Sequence, residues 1–169
     1  KGANGRELYH WDPLLVDRDK AGKIMRLAEA RWNETGALRD DPRSKYSQAY
    51  LWFSTDLGKS WGRETSVPAW YGVNEVALVR AKNGDIVAAC RTDNPVRFKG
   101  ELDLYSGMGV SISRDNGATW SDLNRLYEYG RHHPSLVLLP NGDLVMPYVV
   151  RIGYPVTKDG FPRFGIEAV

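Results

Sequence analysis

Two ionisable residues frame a short turn in the middle of the chain. Glu75 opens an apolar run, Val76-Ala77-Leu78-Val79, and Arg91 closes a second, Ile86 to Cys90, with Asn83-Gly84-Asp85 between the two. Asn-Gly between β-rich runs favours a two-residue type I′ turn, because that turn needs positive φ at both central positions. A hairpin folded there brings Glu75 and Arg91, 16 positions apart, to the same end of neighbouring strands. Their types suit work on a polar ligand. A guanidinium fork matches a carboxylate bidentately, and a carboxylate beside a phenol can take its proton. The alternative is a solvent-facing Glu–Arg ion pair, which is common and weak.

A second group precedes an equivalent turn. Gly130-Arg131-His132-His133-Pro134-Ser135 leads to Asn141-Gly142-Asp143, and His133 stands nine positions before its turn glycine, as Glu75 does. Histidine there suits an acid/base or a hydrogen-bonding partner of a sugar, with a structural histidine on the rim as the alternative. Neighbouring residues on a strand point to opposite faces, so His132 and His133 are not expected to share one metal. Arg151, just after Tyr148, adds a cation to the rim or else lies along the sheet with its charge in water.

The elements that position these residues repeat. Ser54-Thr55-Asp56-Leu57-Gly58-Lys59-Ser60-Trp61 returns 59 positions later as Ser113-Arg114-Asp115-Asn116-Gly117-Ala118-Thr119-Trp120. In the pattern Ser-x-Asp-x-Gly-x-Ser/Thr-Trp, the carboxylate can accept from turn amides, glycine supplies a special φ, and Trp folds back onto the sheet. The Asn-Gly turns alternate with this motif, and a weaker third copy is centred on Gly22. Two hairpins per repeat make a four-stranded antiparallel sheet. In the second repeat its strands are expected at about 75–80, 86–91, 109–113 and from near Thr119. Four-stranded sheets at this interval are the pattern of propeller blades packed face to face.

Composition excludes little. With 23 Lys plus Arg against 21 Asp plus Glu, the net charge of +2 gives no reason to expect nucleic acid as a partner. Six tryptophans and nine tyrosines suit stacked sheets or a sugar-binding surface equally. The single cysteine, Cys90, permits no intrachain disulfide and no cysteine-based metal site. No apolar run is long enough to span a bilayer, and the first residues lack the apolar core of a signal peptide.

These motifs resemble those of the sialidase superfamily, whose Asp-boxes, also called BNR repeats, decorate six-bladed β-propellers. The resemblance implies an all-β, sialidase-like six-bladed propeller, with one domain over 1–169 supplying about two and a half blades: repeats at about 9–70, 71–130 and an incomplete 131–169. It implies that the Asp-box residues Ser54, Asp56, Gly58, Trp61, Ser113, Asp115, Gly117 and Trp120 are structural and lie away from the active site. Two and a half blades cannot close a ring, so the remainder is expected to be missing or supplied by another chain, and the isolated chain to be aggregation-prone.

Asn74-Glu75, followed by Cys90-Arg91, is similar to the family segment in which a glutamate polarises a tyrosine nucleophile and an arginine grips the sialic acid carboxylate. Gly22-Lys23-Ile24-Met25-Arg26-Leu27-Ala28-Glu29-Ala30-Arg31 is similar to the family's Gly-x-Leu-Leu-Ala-x-x-Glu-x-Arg strand, which implies a pocket role for Arg31. The family's aromatic-Arg-Ile-Pro stretch reads His10-Trp11-Asp12-Pro13 here, without its arginine. The family's acid/base aspartate falls in a loop that offers Glu34, Asp40 and Asp41. The implied assignment is catalytic Glu75 and Arg91 with substrate-binding Arg31, His133 and Arg151, no cofactor or metal, and a glycan substrate, sialic acid or another acidic sugar. A non-catalytic propeller that binds glycan or protein is the alternative. The resemblance also favours a secreted or periplasmic location.

Overall fold

The computed structural model describes residues 7–11, 14–34, 46–62, 64–98, 103–152 and 164–169. The first sheet holds β1 (Tyr9–His10), β2 (Leu15–Arg18), β3 (Ile24–Glu34), β4 (Ser47–Ser54) and β5 (Thr65–Tyr71). Strands β1 and β2 both pair with β3 along one edge, so together they act as a single interrupted first strand. The second sheet is the most regular: β6 (Val73–Arg80), β7 (Ile86–Thr92), β8 (Gly107–Ser113) and β9 (Asn124–Tyr127), antiparallel and in chain order. The last strands are β10 (Arg131–His132), β11 (Val137–Leu138), β12 (Leu144–Val145), β13 (Pro147–Val150) and β14 (Gly165–Ala168). They form a β10-β13-β14 sheet and a β11-β12 hairpin that continues it.

The sheets stack by alternation of side chains along each strand. Along β7 all seven residues are buried, because both faces are covered. Ala88 and Cys90 turn toward Ala49, Leu51, Trp70 and Val76 in one core, while Ala89 turns with Ala77 and Met108 toward Met146, Tyr148 and Val150 in another. An all-β chain of antiparallel sheets stacked this way has a β-propeller-like fold.

A buried carboxylate adds a polar tie between the first two sheets. Asp17 accepts from Arg26 (2.8 and 3.1 Å) within its own hairpin and from Arg80 on β6 (2.6 and 2.7 Å). Burial by itself would raise its pKa, but the hydrogen bonds and charges of Arg80 and Arg26 outweigh that and hold it below the ordinary carboxylate value.

Both Ser-x-Asp-x-Gly motifs fold alike. Asp115 accepts from Ser113 Oγ (2.9 Å), Thr119 N (2.8 Å) and Thr119 Oγ1 (2.5 Å), and Asp56 accepts from Ser54, Ser60 N and Ser60 Oγ in the same pattern. These bonds favour the ionised forms, so each pKa falls to about 2, led by the side-chain bond from Thr119 or Ser60. Gly117 has φ +90°, and a Cβ there would meet Phe53 Cζ at 2.7 Å, so the turn also presses on the first sheet. One expectation fails. The fourth strand of the second sheet begins at Asn124, not near Thr119, because Trp120 leaves the ladder to pack on Trp70 with ring centroids 4.6 Å apart.

Candidate functional site

Register sets the ends of the second sheet far apart in chemistry. Ile86 pairs with Ser113 at one end of β7–β8, and Thr92 with Gly107 at the other. Seven residues separate these ends by roughly 20 Å. The Asp115 turn therefore lies at the Asn83-Gly84 end, and Glu75 and Arg91 at the opposite one. The ladder that pairs Val76 with Cys90 sets Glu75 level with Arg91, and its register shifts only toward the Val73–Thr92 pair.

At that end five segments converge. Arg91 Nη1 donates to Glu75 Oε1 (2.8 Å) and to His133 Nε2 (3.0 Å), while Nη2 donates to Ser106 Oγ (3.2 Å). Ser106 in turn donates to Asn94 Oδ1 at 3.2 Å. Glu75 Oε2 stands 3.4 Å from His133 Nε2 and has no hydrogen-bond partner among the described residues. The Glu75 and Arg91 side chains are 8% and 9% exposed, so their pair is buried and not solvent-facing. The fifth segment is the end of β1, where Trp11 stacks on the His133 ring at 4.7 Å and 20°.

His133 can reach this cluster because its φ is +55°. That left-handed backbone breaks strand alternation, and the rings of His132 and His133 lie 4.2 Å apart, where alternation predicts opposite faces. A non-glycine residue held in this region costs roughly 1 kcal/mol or more, a strain that concentrates at functional positions.

The other sequence-derived candidates have contacts of their own. Arg31 pairs with Glu29, which also faces His10 Nδ1 at 3.4 Å, and its guanidinium lies over Trp52 (5.3 Å) and Trp61 (6.0 Å). Its neighbours Ala30 and Trp32 pack toward the second sheet, so alternation turns Arg31 the other way. In the ladder Arg31 stands opposite His10, the residue before Trp11. Arg151 follows β13 with its guanidinium over Phe164 at 4.8 Å. Asp40 and Asp41, the side chain of Glu34, and Asp12-Pro13 lie outside the described residues.

A phenol–carboxylate contact does occur, at Tyr148 and Glu167 (3.1 Å), with Tyr127 OH 2.8 Å away. Desolvation, then the bonds to Tyr127 and Glu167, push the Tyr148 pKa well above the ordinary phenol value. Tyr148 is therefore a proton donor locked in the core rather than an activated nucleophile. Sequence reasoning overlooked Ser106, Asn94 and Trp11 as site residues. Only Trp11 left a signal, by standing where the resembling family carries arginine.

Antiparallel sheets stacked with their strand ends converging on one polar cluster define a β-propeller-like protein with a candidate rim site. No protein-family model and no curated protein matches the sequence. Among solved structures the fold is similar to a Dyadobacter fermentans DSM 18053 protein of unknown function, at TM-score 0.55 and 19% identity over 81% of this chain and 33% of that one. It is also similar to the Hadza microbial sialidase Hz136, at TM-score 0.52 and 16% identity over 92% of this chain and 30% of that one. At these identities the likeness is one of fold. The chain spans about a third of the length of each of these structures. Among the described residues, no helix is long and apolar enough to cross a membrane.

Proposed function

We propose that this chain contributes to a sialidase-like, six-bladed carbohydrate-active propeller, and that the Glu75–Arg91–His133 cluster is the part of its glycan site carried here. The observation that carries the reading is Glu75: one carboxylate oxygen is fixed by Arg91, and the other is buried without a hydrogen-bond partner among the described residues. A buried acceptor of this kind has a use for an incoming hydroxyl. In a glycoside hydrolase that hydroxyl belongs to a phenolic nucleophile, whose proton Glu75 draws, or to the sugar. Arg91 holds Glu75 in place at 2.8 Å, and His133 offers an acid/base within reach of both. Water finally adds across the glycosidic C–O bond, with a proton passing to the leaving oxygen.

A binding propeller without catalysis is the second reading, favoured by Tyr148: the phenol–carboxylate contact among the described residues is a buried, protonated one. The test is a pair of substitutions in the protein that carries this chain, assayed on sialylated, uronic-acid and neutral glycosides. Glu75→Gln keeps shape and removes the base, so turnover falls more than affinity. Arg91→Lys keeps charge and loses the planar fork, so affinity also weakens. Binding lost without any turnover in the wild type selects the second reading, and wild-type behaviour of both variants removes the site.

A further inference from the structure

Just past β1, the Trp11 indole lies against His133 at the edge of the Glu75–Arg91 cluster. We infer that Trp11 determines specificity, and that the site takes an uncharged pyranose stacked on the indole rather than a carboxylated sugar. The inference rests on reading this rim as a glycan site.

Three observations carry it. The first is charge: among the described residues the cluster sets one carboxylate, Glu75, against one guanidinium, Arg91, at 2.8 Å. That pair carries no excess positive charge to attract an anion. The second is donor use, since both N–H groups on Arg91 Nη1 are already given, to Glu75 and His133, and Nη2 serves Ser106. A ligand carboxylate would have to lie beside the Glu75 charge or take its place on Nη1, and either costs binding energy. The third is the indole itself. One face of Trp11 is taken by imidazole, yet the residue keeps 46% of its surface in solvent, leaving an open apolar plane above buried polar groups. A pyranose has the matching character: an axial C–H face for the plane and hydroxyls for Glu75 Oε2, His133 and Ser106. Aromatic planes with a few placed polar groups are the usual lining of small-molecule sites.

The experiment titrates the folded protein that carries this chain with methyl β-D-glucopyranoside and methyl β-D-galactopyranoside, and separately with methyl β-D-glucuronide and the methyl α-glycoside of N-acetylneuraminic acid. Indole N–H resonances are followed by NMR, the Trp11 signal being the one absent from Trp11→Phe. The expected result is that a neutral glycoside shifts the Trp11 signal and binds more tightly than either carboxylated one. Trp11→Ala should then weaken it by roughly fivefold or more, as loss of a stacking plane does, with Trp11→Phe retaining most of the affinity. Trp11→Arg should swing the preference toward the carboxylated pair. Tighter binding of a carboxylated glycoside to wild type, or unchanged affinity in Trp11→Ala, overturns the inference and leaves the glycan site standing. If none of the four sugars binds while that protein is folded by circular dichroism, the glycan reading itself falls and takes this inference with it.

Discussion

Replacing Arg91 by leucine tests whether the Glu75–Arg91 pair is truly desolvated. The pair meets at 2.8 Å with both side chains less than a tenth exposed. Removing the guanidinium strips Glu75 Oε1 of its donor and leaves a buried carboxylate whose Oε2 already has no hydrogen bond among the described residues. Breaking such a pair from one side costs about 3–5 kcal/mol. His133 Nε2, 3.4 Å from Glu75, remains as a polar neighbour of the carboxylate, which favours the lower end, about 3 kcal/mol. Domain stabilities run at roughly 5–15 kcal/mol, so this is a large fraction, equivalent to a fall in Tm of about 6–12 °C for a chain of this size. The double variant Glu75→Leu/Arg91→Leu removes both charges and should be far less destabilised than the sum of the two single changes. Urea unfolding at neutral pH, followed by tryptophan fluorescence and far-ultraviolet circular dichroism, gives all four corners of the cycle. An Arg91→Leu variant within about 1 kcal/mol of wild type, the range of exposed pairs, would refute the reasoning.

Three further outcomes follow from particular contacts. The depressed pKa of Asp17 means its stabilisation is complete above the unfolded value, about 4, and is lost as pH falls through the lower folded value; Asp17→Asn should therefore flatten acid-side urea midpoints. Gly117→Ala should lower stability by about 1–3 kcal/mol, through its positive φ and the 2.7 Å approach to Phe53, read by thermal melting against the open Gly84→Ala, whose Cβ meets nothing within 4 Å. Cys90 is fully buried and its thiol pKa is pushed far up by desolvation, so a thiol reagent should modify it only at the rate of unfolding, and fast labelling in native buffer would show that the β7 core opens.

The sequence by itself determined what depends on near neighbours. Gly84 and Gly142 specify tight turns because few other residues tolerate their positive φ, although Asn83 and Asn141 do not share it, so the expected two-residue type I′ turn gives way to a longer one in which Ala81 N donates to Asp85 O. Ser113, Asp115 and Thr119 carry within seven positions the side-chain bonds that close their turn. Hairpin geometry likewise put Glu75 beside Arg91, since a turn of known length fixes the register around it. Tertiary structure alone decided what crosses from sheet to sheet. Arg31 and Arg91 read alike along the chain, but alternation on β3 turns one away from the face that packs on the second sheet. His133 entered the cluster through a left-handed φ that no local rule demands, and Trp11 and Ser106 reached it from positions far apart in the chain. Local patterns encode turns and periodicity, whereas the partner of a strand end is set by how whole sheets stack.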